Sequence, residues 1–105
     1  MDEQSITVFR SRLRDDVPES YFTLAAELHE RAKGFPGFVE FKQFVADDGE
    51  RVTLVTFASA AHEAAWRDDA DHRAAQREGR ERFYSEYDVA VCEVRDRHRW
   101  TQVTK

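Results

Sequence analysis

A single cysteine, Cys92, in a chain of 105 residues rules out an intramolecular disulfide and a thiolate metal cage. A lone thiol within an apolar run reads as a small buried hydrophobe in a reducing compartment. The four glycines stand apart at 34, 37, 49 and 79, so no glycine-rich phosphate loop exists. No apolar run approaches the roughly 18 residues that a membrane span needs. The start, "MDEQSITVF", lacks a basic region followed by a long apolar stretch, so no signal peptide is expected and the cytoplasm is the default location. Lysine and arginine (16) are outnumbered by aspartate and glutamate (21), and the net charge of -5 argues against nucleic acid as a partner. His62 and His72 lack the i, i+4 relation of a metal pair and have no third ligand at a recognisable spacing, so no metal is expected. No Ser-His-Asp arrangement can be read, because a triad is defined by geometry.

What is present is a globular composition, 41% hydrophobic and 35% charged, with acids and bases interleaved as in "REGRERF". Without repeats or linkers, residues 1–105 read as one domain with a thin core. "SITVFRSRL", 5–13, alternates with period two and reads as a strand. A helix is expected from about Val17 to Lys33, with Asp16 as N-cap, Glu19 completing a capping box, and Gly34 as the stop. Its apolar stripe is Tyr21, Leu24, Ala25, Leu28 and Ala32. "VEFKQFVA" (to residue 46) and "RVTLVTFA" (51–58) flank the turn "DDGE" and form a hairpin. Ser59 caps a short helix to about Arg67. After a kink at "DDAD", a second helical segment carries His72, Ala75, Gln76, Gly79 and Phe83. "YDVAVCEVRDRHRW", 87–100, reads as the last strand.

The order βαββαβ is α+β and ferredoxin-like, a four-stranded antiparallel sheet with helices on one face. Several strands are nevertheless apolar on both faces. Thr53, Val55 and Phe57 oppose Val52 and Leu54; Val39, Phe41 and Val45 oppose Phe38 and Phe44; Tyr87, Val89 and Val91 oppose Ala90, Cys92 and Val94. A large apolar sheet face left in water marks a partner surface, most simply a second copy, so a homodimer through the uncovered face is expected.

With "KGFPGFVEFKQF" before the hairpin, "ERVTLVTFAS" in it and "AWRDDADHRAAQREGRERFYSEYDVAVCEV" after it, the chain resembles the antibiotic biosynthesis monooxygenase domain from about Ile6 to Trp100. The overall pattern carries the likeness rather than any one motif. It implies a dimeric α+β barrel with a small-molecule pocket between helices and sheet in each subunit. It further implies a cofactor-independent monooxygenase-like protein in which an aromatic or quinone-type substrate reacts with oxygen as its own carbanion. No flavin, heme or metal is then required. The heme-degrading relatives are expected to carry an asparagine on the first strand, and this chain has no asparagine at all.

Within that resemblance, His72 is the candidate catalytic residue. A neutral imidazole can take a phenolic or carbon-bound proton and polarise the forming anion; the structural alternative is a histidine held by Asp69 or Asp71 near a helix start. Trp66 is either a stacking wall for the substrate ring or a side chain closing the core. On one unbroken helix, Trp66 and His72 lie roughly 120° apart, so only a break at "DDAD" brings them together. Phe83, Tyr84, Phe22 and Phe57 are the further candidate substrate contacts, with Phe9 and Tyr87 behind them. Tyr84 and Tyr87 offer phenols to a bound carbonyl. His29 and His98 read as solvated, and Gly79 as a packing contact. A non-catalytic small-molecule-binding or stress-related dimer of the same fold is the alternative. A structural dimer whose pocket is filled by Trp66 and Phe83 is a third reading.

Overall fold

The computed structural model describes residues 3–103. Four strands, β1 (Ser5–Leu13), β2 (Phe38–Val45), β3 (Arg51–Phe57) and β4 (Tyr84–Glu93), form one antiparallel sheet in the order β2-β3-β1-β4. Helices α1 (Ser20–Lys33), α2 (Ala60–Arg67) and α3 (Ala70–Glu78) complete the chain, with a single π-helical turn, Gly79–Phe83, leading into β4. The architecture is the expected ferredoxin-like α+β one. Among the described residues, no helix is long and apolar enough to cross a membrane.

The helix side of the sheet follows from the register. Ser5, Thr7, Phe9 and Ser11 of β1 pair with Phe57, Val55, Thr53 and Arg51 of β3 and with Glu93, Val91, Val89 and Tyr87 of β4. A buried cluster of Ala32, Val55, Phe57 and Trp66 anchors the helices at one end, with Leu28, Phe35, Phe38 and Phe41 packed against it. The opposite side carries Ile6, Val8, Val52, Leu54, Phe44 and Ala90, and among the described residues no helix or strand packs across it. Cys92, paired with Ile6, lies on that side and is exposed, not buried as its apolar neighbours suggested.

Three boundaries differ from the sequence reading. The first helix begins at Ser20 rather than Val17, and the Asp16–Glu19 capping box does not form. Arg14 is the reason: its N–H donates to Phe83 O, its guanidinium to the carbonyls of Tyr84 and Arg80, and its own carbonyl accepts from Val17 N–H. A turn thus occupies the segment where the cap belonged. The last strand runs 84–93 rather than 87–100. It begins early because Leu13 pairs with Tyr84, past a register shift that leaves Ser85 of β4 without a pairing partner in β1. It stops at Glu93, opposite Ser5, where β1 itself begins; Val94 N–H to Gln4 O is the last rung. Finally, a bulge between Phe38 and Glu40 places Phe38 on the same side as Phe41, so Phe38 does not share a face with Phe44. The Phe38 ring meets Phe57 edge-on at 6.0 Å.

Two glycines are used for space. Gly37 adopts φ +80°, and a Cβ there would collide with the His62 ring, which Ser59 Oγ holds at 2.8 Å from Nδ1. Gly79 is buried, and a Cβ on it would come within 2.5 Å of the Tyr84 ring. It is therefore a packing glycine. The Tyr84 N–H donates back to Gly79 O, which closes the wide turn and aims Phe83 and Tyr84 inward.

Candidate active site

The break between Trp66 and His72 is real and has two caps. Asp68 ends α2 by donating its N–H to Ala64 O. Asp69 opens α3 by accepting from His72 N–H at 3.0 Å. Arg31 of α1 grips both carboxylate oxygens of Asp69 at 2.8 Å. That hydrogen-bonded pair, aided by the His72 N–H, lowers the Asp69 pKa to about 2 and ties the kink to the first helix.

The kink folds the imidazole of His72 onto the indole of Trp66, with ring centroids 4.2 Å apart and planes 16° apart. His72 Nδ1 lies 3.1 Å from Trp66 O. A carbonyl only accepts, so Nδ1 carries the hydrogen and Nε2 is left as the basic nitrogen of the neutral ring. Burial lowers the His72 pKa from its ordinary value, opposed by the Trp66 carbonyl and by Asp69. At neutral pH the ring is uncharged and can accept a proton.

Beside this pair lies a cavity of about 420 Å³ between the helices and the sheet. Its floor is Thr7 and Phe9 of β1, Phe41 and Gln43 of β2, Arg51, Thr53 and Val55 of β3, and Tyr87, Val89 and Val91 of β4. Its roof comes from α1, including Tyr21, Phe22 and Leu28, and from Glu63, Trp66, Arg67, His72, Ala75 and Gln76, closed by Phe83 and Tyr84. Phe22 (55% exposed), Tyr87 (39%), Val89 (43%) and Val91 (45%) mark the open side. Tyr21 meets Phe83 edge-on at 5.4 Å, and Phe9 meets Tyr84 likewise at 5.5 Å, so aromatic edges and faces line the interior. The space is not filled by Trp66 and Phe83, which line it instead.

The candidate residues are not placed alike. His72, Trp66, Phe83, Tyr84 and Phe22 all line the cavity, as do Phe9 and Tyr87. Phe57 does not: it is fully buried beneath Trp66 and Phe38 and belongs to the core. Its place on β3, opposite Ser5, puts it one step beyond the cavity floor. Trp66 is 4% exposed, with His72 on one face and Phe35 at its edge, so it acts as a wall rather than an open stacking platform. Burial next to Tyr21 pushes the Tyr84 phenol far above its ordinary pKa, so it remains a hydrogen-bond donor. His29 corrects the sequence reading: instead of standing in solvent it stacks on Phe41 at 4.3 Å and joins the lining.

The polar residues of the lining that were not foreseen include Glu63, Thr7 and Arg51. Glu63 is 3% exposed, its only ion pair among the described residues is to Arg67 at 3.4 Å, and burial raises its pKa. Three residues before Trp66, it shares that face of α2, a spacing the sequence displays. Thr7 and Arg51 extend the same period-two alternation that exposed Phe9, Thr53 and Val55. Among the described residues, no group of three or more histidines, cysteines or acids is placed to hold a metal ion.

No family model and no curated protein sequence matches the chain. Solved structures do. Rv0793 from Mycobacterium tuberculosis superposes with a TM-score of 0.78 at 16% identity, over 90% of this chain and 97% of that one. SnoaB from Streptomyces nogalater, described as a cofactor-independent oxygenase, gives 0.75 at 12% identity over 90% and 96%. A protein described as an antibiotic biosynthesis monooxygenase gives 0.73 at 12% identity over 86% and 97%. The chain has the antibiotic biosynthesis monooxygenase fold. Coverage near nine-tenths on both sides means that the antibiotic biosynthesis monooxygenase fold accounts for the whole sheet and all three helices, not a shared hairpin.

Proposed function

We propose that the cavity binds a small aromatic or quinone-type molecule and that the protein oxygenates it without a resident cofactor, with His72 as the base. The observation that carries this reading is a partly polar cavity of drug-like size with an uncharged histidine in its wall, its Nδ1–H spent on Trp66 O. Nε2 takes a proton from an acidic ring carbon or from a ring hydroxyl conjugated with it. The resulting carbanion reacts with O2 at carbon to give a peroxide. Loss of the second C–H proton then breaks the O–O bond, leaving a carbonyl oxygen on the substrate and one water. All the electrons come from the substrate. Tyr84, kept as a phenol, donates to the developing oxyanion, and Phe9, Phe83 and Tyr21 enclose the rings.

The test is oxygen uptake with a hydroxylated anthrone as probe, alongside crystals soaked in it. Uptake above the uncatalysed rate, with quinone formed mole for mole, is the expected result. Density in the cavity without uptake transfers the assignment to the binding-protein alternative. No density and no uptake overturn both.

A second copy of the chain is the proposed partner, seated on the face of Ile6, Val8, Val52, Leu54 and Phe44. Phe44 is 47% exposed there although it is a large apolar side chain on a strand, which favours cover by another sheet. Sedimentation is expected to give a dimer at micromolar concentration and a monomer for Phe44→Glu; a monomeric parent protein overturns the assignment.

A further inference from the structure

Two buried polar atoms in the cavity lining, Arg51 Nε and Thr7 Oγ1, have no hydrogen-bond partner among the described residues. Of the two, Arg51 carries a charge. Its Nη2 donates to Gln43 Oε1 at a long 3.3 Å, and its Cζ lies 6.0 Å from the Tyr21 ring centroid. Among the described residues, no carboxylate comes within ion-pair distance of it. The neighbouring acid in sequence, Glu50, has both oxygens on Arg10, on the other side of the sheet. Buried charges are otherwise paired, because an uncompensated one is costly. A half-buried guanidinium with a free Nε–H, facing a cavity among tyrosines, is a fork waiting for an anion.

Its place in the cavity sets the ligand's orientation. Arg51 pairs with Ser11 of β1, which in turn pairs with Tyr87. Thr7 pairs with Val55, which packs against Trp66. The two positions are four residues apart along β1, about 13 Å at the usual rise. The cavity therefore has a cationic, tyrosine-rich end and, about 13 Å away, the end of Trp66, His72 and Glu63. Glu63 sits with Arg67 at the latter end and is not the partner of Arg51.

We propose that Arg51 anchors an anionic oxygen group of the ligand, so that the cavity takes an aromatic acid, its carboxylate on Arg51 Nε–H and its rings directed toward His72. This rests on the aromatic-ligand reading of the cavity and adds which end of the molecule is held. The planar fork favours a carboxylate, and among the described residues Arg51 is the one cation lining the cavity at that end, since Arg80, 3.3 Å from the Tyr87 hydroxyl, stands outside the lining.

The experiment is calorimetric titration with naphthoate and with its neutral isostere naphthamide, with amide shifts of Phe83 and Tyr84 reporting the place of binding. Naphthoate is expected to bind at least about tenfold tighter, as a hydrogen bond to a charged group implies. Arg51→Gln is expected to abolish that preference while leaving naphthamide unchanged. Arg51→Lys, which keeps the cation and loses the fork, is expected to retain only part of the preference, and it carries the test if Arg51→Gln does not fold. Equal affinity for the two probes, or a preference untouched in either variant, overturns the anchor and leaves the aromatic cavity standing. Failure of both probes to bind overturns both.

Discussion

Truncating Trp66 to alanine is expected to cost about 3–5 kcal/mol of folding stability, the range for removing a large buried aromatic side chain. Against a total of about 5–15 kcal/mol for an ordinary domain, that is enough to leave much of the protein unfolded near body temperature. The indole is 4% exposed and joins four contacts at once: Phe35, Phe57, the imidazole of His72, and the cluster with Ala32 and Val55. No neighbour is placed to fill the hole, because Phe57 is already locked against Phe38. Urea unfolding followed by circular dichroism measures the loss, and Trp66→Phe is expected to lose less. A loss below about 1 kcal/mol for Trp66→Ala would mean that the indole is a replaceable wall and not part of the core.

The second large effect concerns activity. His72→Gln keeps a planar polar side chain of similar reach and removes the base, and is expected to lower kcat/KM for oxygen uptake by about 10²-fold or more. The pH profile separates this from a structural effect. In the parent protein the Nε2 base must be unprotonated, and burial holds the His72 pKa below its ordinary 6.5. Activity is therefore flat at neutral pH and falls as pH drops through a midpoint below 6.5. His72→Gln loses that acidic limb along with most of the rate. If the limb persists in the variant, the base is another group. Glu63, whose buried carboxyl titrates above its ordinary 4.5, is then the residue to replace next.

Much of this molecule could be read from spacing alone. The alternation of β1 and of the hairpin, the Ser59 cap and the "DDAD" break each have a short-range cause, and each appears where the residues place it. The kink was the decisive local feature, since the capping carboxylate of Asp69 is written in the chain and fixes where α3 starts. What failed locally failed through distant partners. Asp16 and Glu19 make a good capping box, yet Arg14 is bound to the turn before β4 and the helix starts three residues later. The last strand ends where β1 runs out of backbone to pair, which no pattern within 87–100 reveals.

The candidate site divides in the same way. Extending the alternation of Thr53, Val55 and Phe57 one step back reaches Arg51, and three residues before Trp66 is Glu63; both sat in view as ordinary charged residues. Phe57 and Phe9 look equivalent on paper, both large and on the helix side of the sheet. Only the packing separates them, because the helices close down over one end of the sheet, around Phe57, and stand off from the other, over Phe9. By itself, then, the sequence determined the element order, the broken helix, and which residues face the helix layer, since these follow from periods of 2 and 3.6 and from caps. The tertiary structure alone decided where the layers part to leave a cavity, that His72 stacks on Trp66 with Nε2 as its basic nitrogen, and that Arg51 stands there without a carboxylate partner among the described residues. Those depend on contacts between residues far apart in the chain, and no local rule encodes the distance between two packed layers.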